Sequence, residues 1–239
     1  MSGALGTSFG GASQDYVRGR PSYPPEAVRW LVGAAAVQVV DVGAGTGKLT
    51  RVLVDLGHQV TAVDPDAAML AALTQTVPGV PTEVGTAEQL PVPDASADVV
   101  VLGQAWHWVE PVRASAEVGR VVRPGGTLGL IWNIRDDSVP WVRALSEAMH
   151  GSAAERLIAG DGPRVGAPFG DLEPKTWRWT RPMTHDDVIA MVRSRSHYIA
   201  ADSAGRAAID ANVAAVLAGQ PGDTVDMPYV THAFRARRD

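Results

Sequence analysis

The sequence predicts an α/β fold: a parallel sheet with helices on both faces. Two observations carry that prediction. Short β-branched runs alternate with helix-like segments between residues 37 and 132, in repeated units of strand, turn and helix. The first unit also holds a glycine-rich turn, Gly43-Ala-Gly45-Thr-Gly47, between its strand and its helix, where such sheets open toward a ligand. Composition is consistent with this: 46% of the 239 residues are hydrophobic and 20% charged, ample apolar material for a core.

The elements follow in order. Pro24 and Pro25 precede a helix over Glu26–Val32, and proline suits a first helical turn. Val37–Val42 is a continuous β-branched run, as expected of a strand buried on both faces. Gly43–Gly47 is a turn, and Lys48–Leu56 a helix that ends at Gly57. Gln59–Val63 is the second strand, Asp66–Thr74 a helix that Asp66 can cap, and Val80–Val84 a short third strand. Ala97–Leu102 is the fourth strand. Pro111–Val121 is a helix stopped by the turn Arg123-Pro-Gly-Gly126, and Thr127–Trp132 is the fifth strand. Beyond it the pattern changes. Ser138–Met149 reads as helix, Gly151–Glu173 is Gly/Pro-rich and takes no assignment, and Thr176–Thr180 alternates as a strand. Asp186–Arg195 and Ala204–Leu217 read as helices, and Thr224–Phe234 as a last strand. No linker splits the chain. Residues 1–239 read as one domain: a closing segment (1–36), a ligand-binding core (37–135), a cap (138–220) and a last strand (224–236).

A net charge of −5 disfavours a general nucleic-acid binder, which carries a basic face. Without cysteine there is no disulfide, thiolate metal site or cysteine nucleophile. The histidines, at 58, 107, 150, 185, 197 and 232, show no metal-ligand spacing, so no metal is expected. Met1–Tyr16 lacks the basic-then-apolar pattern of a signal peptide. The longest near-apolar stretch, Trp30–Val37, is far short of the roughly 18 residues of a membrane span. The expectation is a cytoplasmic protein with no membrane span.

Three ligands compete for the glycine turn. A phosphate-cradling loop needs four residues between its glycines and a Ser or Thr after the lysine; here three separate Gly43 from Gly47, and Leu49 follows Lys48. A dinucleotide loop needs Gly-x-Gly-x-x-Gly, whereas this one is Gly-x-Gly-x-Gly with Asp41 just before it. That pattern resembles motif I of the class I S-adenosylmethionine-dependent methyltransferases. Further residues match the family in order. Asp64 ends the second strand, where the family holds the ribose hydroxyls, and Met69 lies where an apolar residue packs on the adenine. Gly85-Thr86-Ala87-Glu88-Gln89-Leu90-Pro91 resembles the segment beside the adenine, with Thr86 where Asp is common. Gln104 follows the fourth strand, beside the methionine part of the cofactor, and Arg123-Pro-Gly-Gly126 matches the turn before the fifth strand.

The resemblance implies a Rossmann-like, seven-stranded, mostly parallel sheet with an antiparallel last strand, helices on both faces and a helical cap. It implies S-adenosylmethionine as cofactor, and Asp41, Gly43, Gly45, Gly47, Asp64, Met69, Thr86, Ala87, Glu88 and Gln104 as its site. Tyr16 with Arg20-Pro21, the run Ala105-Trp106-His107-Trp108 and the C-terminal Ala233-Phe-Arg-Ala-Arg237-Arg238 resemble the subgroup of trans-aconitate and malonyl-carrier methyltransferases.

In such a fold the acceptor sits above the ends of the fourth and fifth strands. His107 is the candidate for chemistry, either as a base for a hydroxyl or amine or as a hydrogen-bond partner of a carboxylate. Trp106 and Trp132 are candidate pocket walls, while Trp108 reads first as core packing by a large ring and second as an anchor for the following turn. Arg20 and Arg135 can fork a carboxylate, either the cofactor's or the substrate's, and Tyr16 and Asn133 complete the candidate acceptor site. The function expected is methyl transfer to a small-molecule acceptor, most simply the oxygen of a carboxylate or hydroxyl. The alternatives are a C- or N-methyltransferase of quinone or natural-product type, and a non-catalytic cofactor-binding regulator.

Overall fold

A computed structural model describes residues 20–239 of the chain. Its helices and strands alternate from α1 (Pro25–Val32) and β1 (Gln38–Val42) through α2 (Lys48–Asp55), β2 (Gln59–Asp64), α3 (Ala67–Thr76) and β3 (Thr82–Val84). They continue through β4 (Ala97–Gly103), a 3-10 turn (Trp106–Trp108), α4 (Pro111–Val121) and β5 (Val122–Arg135). After β5 come α5 (Pro140–Ala148), α6 (Ala153–Ala159), β6 (Glu173–Thr184), α7 (His185–Arg193), α8 (Ser196–Ala200), α9 (Ser203–Ala218) and β7 (Thr224–Arg237).

The strands form one seven-stranded sheet in the order β3-β2-β1-β4-β5-β7-β6. β1 to β5 are parallel, and β7 runs antiparallel between β5 and β6. This is the Rossmann-like sheet with an antiparallel last strand that the resemblance implied.

Period-two alternation places the two faces of the inner strands in separate cores. Val40, Val42, Val100 and Leu102 face one layer with α4, Trp106, Trp132 and Phe169. Val39, Val99 and Val101 face the other with α1 and α2, where Val28, Leu31, Leu49 and Leu53 are buried. A third cluster is made by α5, α7 and α9 against the near ends of β6 and β7: Leu145, Met183, Met191, Ile209, Val213 and Met227. Met149, Met183 and Met191 are therefore core to this region.

Three elements differ from expectation for identifiable reasons. β6 spans Glu173–Thr184, well beyond Thr176–Thr180, because it pairs with β7 from Glu173↔Arg235 to Thr184↔Thr224. Its Pro174 and Pro182 are tolerated because β6 is the edge strand. β5 begins at Val122: Ala97 pairs with Val122 and Val99 with Thr127, so Arg123-Pro-Gly-Gly126 bulges out inside the strand. The unassigned stretch after Gly151 opens with α6, capped by a reciprocal Ser152–Glu155 box. Among the described residues, no helix is long and apolar enough to cross a membrane, and no group of metal-ligating side chains is found.

Candidate active site at the ends of β1, β4 and β5

The glycine turn has the conformation that its residues allow. Gly43, Gly45 and Gly47 sit at φ of 68°, 54° and 85°, a region that L side chains avoid. A Cβ on Gly43 would stand 2.7 Å from the Ala105 Cβ, so the turn and the end of β4 approach at glycine distance. Asp64 locks the turn from the end of β2. Its Oδ2 accepts from the Gly45 N–H at 2.8 Å, and its Oδ1 accepts from the Asp66 N–H at 2.9 Å.

The turn walls a small cavity, with Asp41, Thr46, Gly103 and Gln104 among its lining and Arg20, Pro21 and Tyr23 across from them. Three buried polar atoms here have no hydrogen-bond partner among the described residues: Asp41 Oδ1, Thr46 Oγ1 and Gln104 Oε1. Buried polar atoms are normally satisfied, so such a set marks a place for a ligand. Two acceptors and a hydroxyl match the ammonium and carboxylate of an α-amino acid, the methionine end of S-adenosylmethionine. The other Asp41 oxygen accepts from Thr50 Oγ1 at 2.6 Å. Burial pushes the Asp41 carboxyl up to about 7, against the lowering effect of that bond. Gln104 stands at φ 55°, a strained setting for a non-glycine residue. It is fixed by its N–H to Ile131 O and by its Nε2 to Asn133 O, both at 2.9 Å. Met69 is buried on α3, Ala87 is buried after β3, Thr86 is exposed, and none of the three lines this cavity. Glu88 also lies outside it and accepts from the Glu110 N–H at the start of α4, 2.9 Å away.

A second chamber of about 120 Å³ adjoins the first and shares Arg20, Pro21, Gln104 and Asn133 with it. His107, Arg135, Glu155, Arg195 and Tyr229 add its chemistry. His107 Nδ1 accepts from the Trp132 indole Nε1 at 3.3 Å. Indole is only a donor, so a neutral His107 carries its proton on Nε2. Burial, then the charge of Arg20, holds its imidazole down to about 4, so it is neutral at physiological pH.

Opposite it, Arg135 and Arg195 are both buried. Glu155 bridges them: Arg135 Nη2 donates to Oε1 at 2.5 Å and Arg195 Nη2 to Oε2 at 3.0 Å. The Ser152 N–H adds a third bond to Oε2 at 2.6 Å. Burial opposes the charge on Glu155, but the two guanidiniums outweigh it and bring the carboxyl down to about 2. Burial and the neighbouring Arg135 press Arg195 below the usual arginine range, and a guanidinium still keeps its charge at neutral pH.

Trp106 and Trp132, expected as pocket walls, are 2% and 0% exposed and pack in the core; neither lines this chamber, and Trp106 borders a separate cleft with His107. Trp106 donates to Arg164 O at 3.0 Å on the far side of the 3-10 turn, and Trp132 meets Phe234 edge-on. A ring at the end of a strand that faces the α4 layer is drawn into that core, and only the Trp132 N–H bears on the chamber, through His107. Trp108, expected to pack in the core or anchor a turn, is 36% exposed and lines the chamber. Asn133 is tied on both sides: Nδ2 donates to Ser22 O at 3.1 Å, and Oδ1 accepts from Thr231 Oγ1 at 2.7 Å. Tyr16 lies outside the described residues. Sequence reasoning missed Thr46, Glu155, Arg195 and Tyr229. Ser152-x-x-Glu155 is a legible capping signal, whereas Arg195 carries none.

Residues 40–130 match the methyltransferase domain family. The chain is 44% identical over 242 aligned residues to an uncharacterised methyltransferase of Mycobacterium tuberculosis, covering 97% of this chain and 96% of that one. A shorter stretch of 92 residues is 36% identical to a malonyl-[acyl-carrier protein] O-methyltransferase of Serratia marcescens, covering 38% of this chain and 36% of the other. In fold it is similar to a protein from Anaeromyxobacter dehalogenans described as a type II methyltransferase, with a TM-score of 0.67 and 24% identity over 91% of this chain and 97% of that one. Glycine turn, sheet order and full-length relatives agree, and the chain belongs to the class I S-adenosylmethionine-dependent methyltransferases.

Proposed function

We propose that the acceptor is a small carboxylic acid, methylated on oxygen. The observation that carries this reading is the chamber beside the glycine turn, where two buried guanidiniums and a neutral histidine face the same space. Bound S-adenosylmethionine supplies an electrophilic methyl group on a sulfonium. Arg135 and Arg195 offer their remaining guanidinium N–H donors to a carboxylate and fix its orientation, while Ser146 and Glu155 hold Arg135 in place. His107, held by Trp132, offers its Nε2–H as one further donor. A carboxylate is already a nucleophile, so its alignment and the exclusion of water are what the protein must provide. A hydroxyl acceptor would need a base, and an imidazole held near 4 with Nδ1 occupied is a poor one. The stretch shared with the malonyl-carrier enzyme, an O-methyltransferase by name, points the same way.

In this reading Asp41, Thr46 and Gln104 hold the amino-acid end of the cofactor, and Gly43, Gly45 and Gly47 let the backbone come close. Asp64, Met69, Thr86, Ala87 and Glu88 serve the adenosine end. Arg20, Asn133 and the segment before α1 cover both cavities, and residues 138–220 form the acceptor-facing cap. Trp106 and Trp132 support the site from the core. A panel of carboxylic acids, phenols and amines, each incubated with S-adenosylmethionine and resolved by mass spectrometry, tests the proposal. Methyl esters are the expected products, with a raised KM in Arg135→Met. Methylation confined to phenols or amines contradicts it.

A further inference from the structure

We propose that Glu155 sets the charge of the acceptor head, restricting the chamber to a group that carries one negative charge. The inference rests on the carboxylate reading above and adds the residue that determines which anions fit. Arg135 and Arg195 have side chains only 5% and 8% exposed, and Glu155 is the one carboxylate bound to both. Two buried cations against one half-buried anion leave one positive charge uncompensated, and such a residue of charge is costly in a low-dielectric space. The other groups on the chamber wall do not change that sum. His107 is neutral, and the Tyr229 phenol is raised by burial and stays protonated. Arg20 stands on the wall common to both cavities, and the proposal assigns its charge to the carboxylate end of the cofactor.

A single carboxylate therefore completes the set. A neutral group leaves the excess charge in place, and a dianion overshoots it. Glu155 is well held for this role: its carboxylate also takes the Ser152 N–H at 2.6 Å, and its own N–H is bound by Ser152 Oγ at 3.2 Å. An incoming acid finds the two guanidiniums already oriented. Glu155 touches the recognition groups and not the reacting atoms, so it is a positioning and specificity residue.

The test is calorimetric titration of the full chain saturated with S-adenosylhomocysteine, whose uncharged sulfur leaves the protein's own charges to be read. The probes are acetate and, at a pH where it carries two charges, methylphosphonate. The wild type is expected to prefer acetate, and Glu155→Gln to shift the ratio of the two affinities toward methylphosphonate by about tenfold or more, the effect of one buried charge at contact range. Arg195→Met makes the opposite charge change through another element, and is expected to lose acetate binding by about tenfold or more while retaining S-adenosylhomocysteine. An unchanged ratio in Glu155→Gln overturns the role of Glu155 and leaves the carboxylate reading standing. If Glu155→Gln does not fold, undiminished acetate binding in Arg195→Met overturns the inference. Failure of the wild type to bind either anion overturns both readings.

Discussion

His107 shows how one hydrogen bond decides between two chemistries. With Nδ1 accepting from the Trp132 indole, the ring presents a donor to the chamber, and burial keeps it uncharged. His107→Gln preserves an N–H donor at that place, so steady-state kinetics should show turnover reduced by about tenfold or less, the scale of one altered neutral hydrogen bond. A loss beyond about a thousandfold with intact cofactor binding would mark a required base. Asp41 makes a second prediction at the same scale. Its buried carboxyl, raised to about 7, is half protonated near neutral pH, and the proton competes with the ammonium of the cofactor. Calorimetry should therefore find the Kd for S-adenosylmethionine rising as pH falls below about 7. Asp41→Asn should bind more weakly, with no such dependence. Glu155 has the opposite sign. Its folded-state carboxyl lies below its ordinary value of 4.5, so the stability it contributes is present above 4.5 and lost as pH falls toward about 2.

Among the elements, α6 carries the most function for its length. It is a seven-residue helix, too short to persist on its own propensity, and its start depends on the Ser152–Glu155 box. Ser152→Ala removes the side-chain half of the box at a cost of about 1 kcal/mol. Thermal unfolding should register that as a drop of roughly 2–4 °C, accompanied by a raised acceptor KM because Glu155 loses its anchor. The elements legible in the sequence were those with local signals. The β-branched runs of β1 and β4, the glycine turn and the Pro111 helix start all read directly from residue types, while Asp41 and Gln104 came into view through the family resemblance. The sheet edge was harder to read. Pro174 and Pro182 truncated the strand pattern of β6, and only pairing with β7 restores its length. The chamber was less legible still. Arg135, Glu155, Arg195 and Tyr229 come from β5, α6, the link between α7 and α8, and β7, and nothing in local sequence says that they meet. The depth of Trp106 and Trp132 was not legible, because ring size alone does not tell which side of a strand end faces the core.

For the molecule as a whole, the two cavities lie where the parallel strands end, beside α6 and β7, as the fold class leads one to expect. Arg20 and Pro21 wall both, and Ser22 is tied to Asn133 on β5. Methyl transfer needs water kept from both ligands, so the segment before α1 works as a closing strap in the proposed function. Deleting residues 1–22 leaves Tyr23 and α1 in the core and should preserve the circular dichroism spectrum. Turnover should fall by about a hundredfold or more, the penalty of misplacing the reacting groups; unchanged activity would refute the strap. The central claim, that the methyl goes to a carboxylate oxygen, has a direct chemical readout. With methyl-labelled S-adenosylmethionine and a panel of small acids, the labelled product should release its label as volatile methanol on mild alkaline treatment, because a methyl ester is cleaved by base. Label that resists alkali would place the methyl on an ether oxygen, nitrogen or carbon and contradict the account.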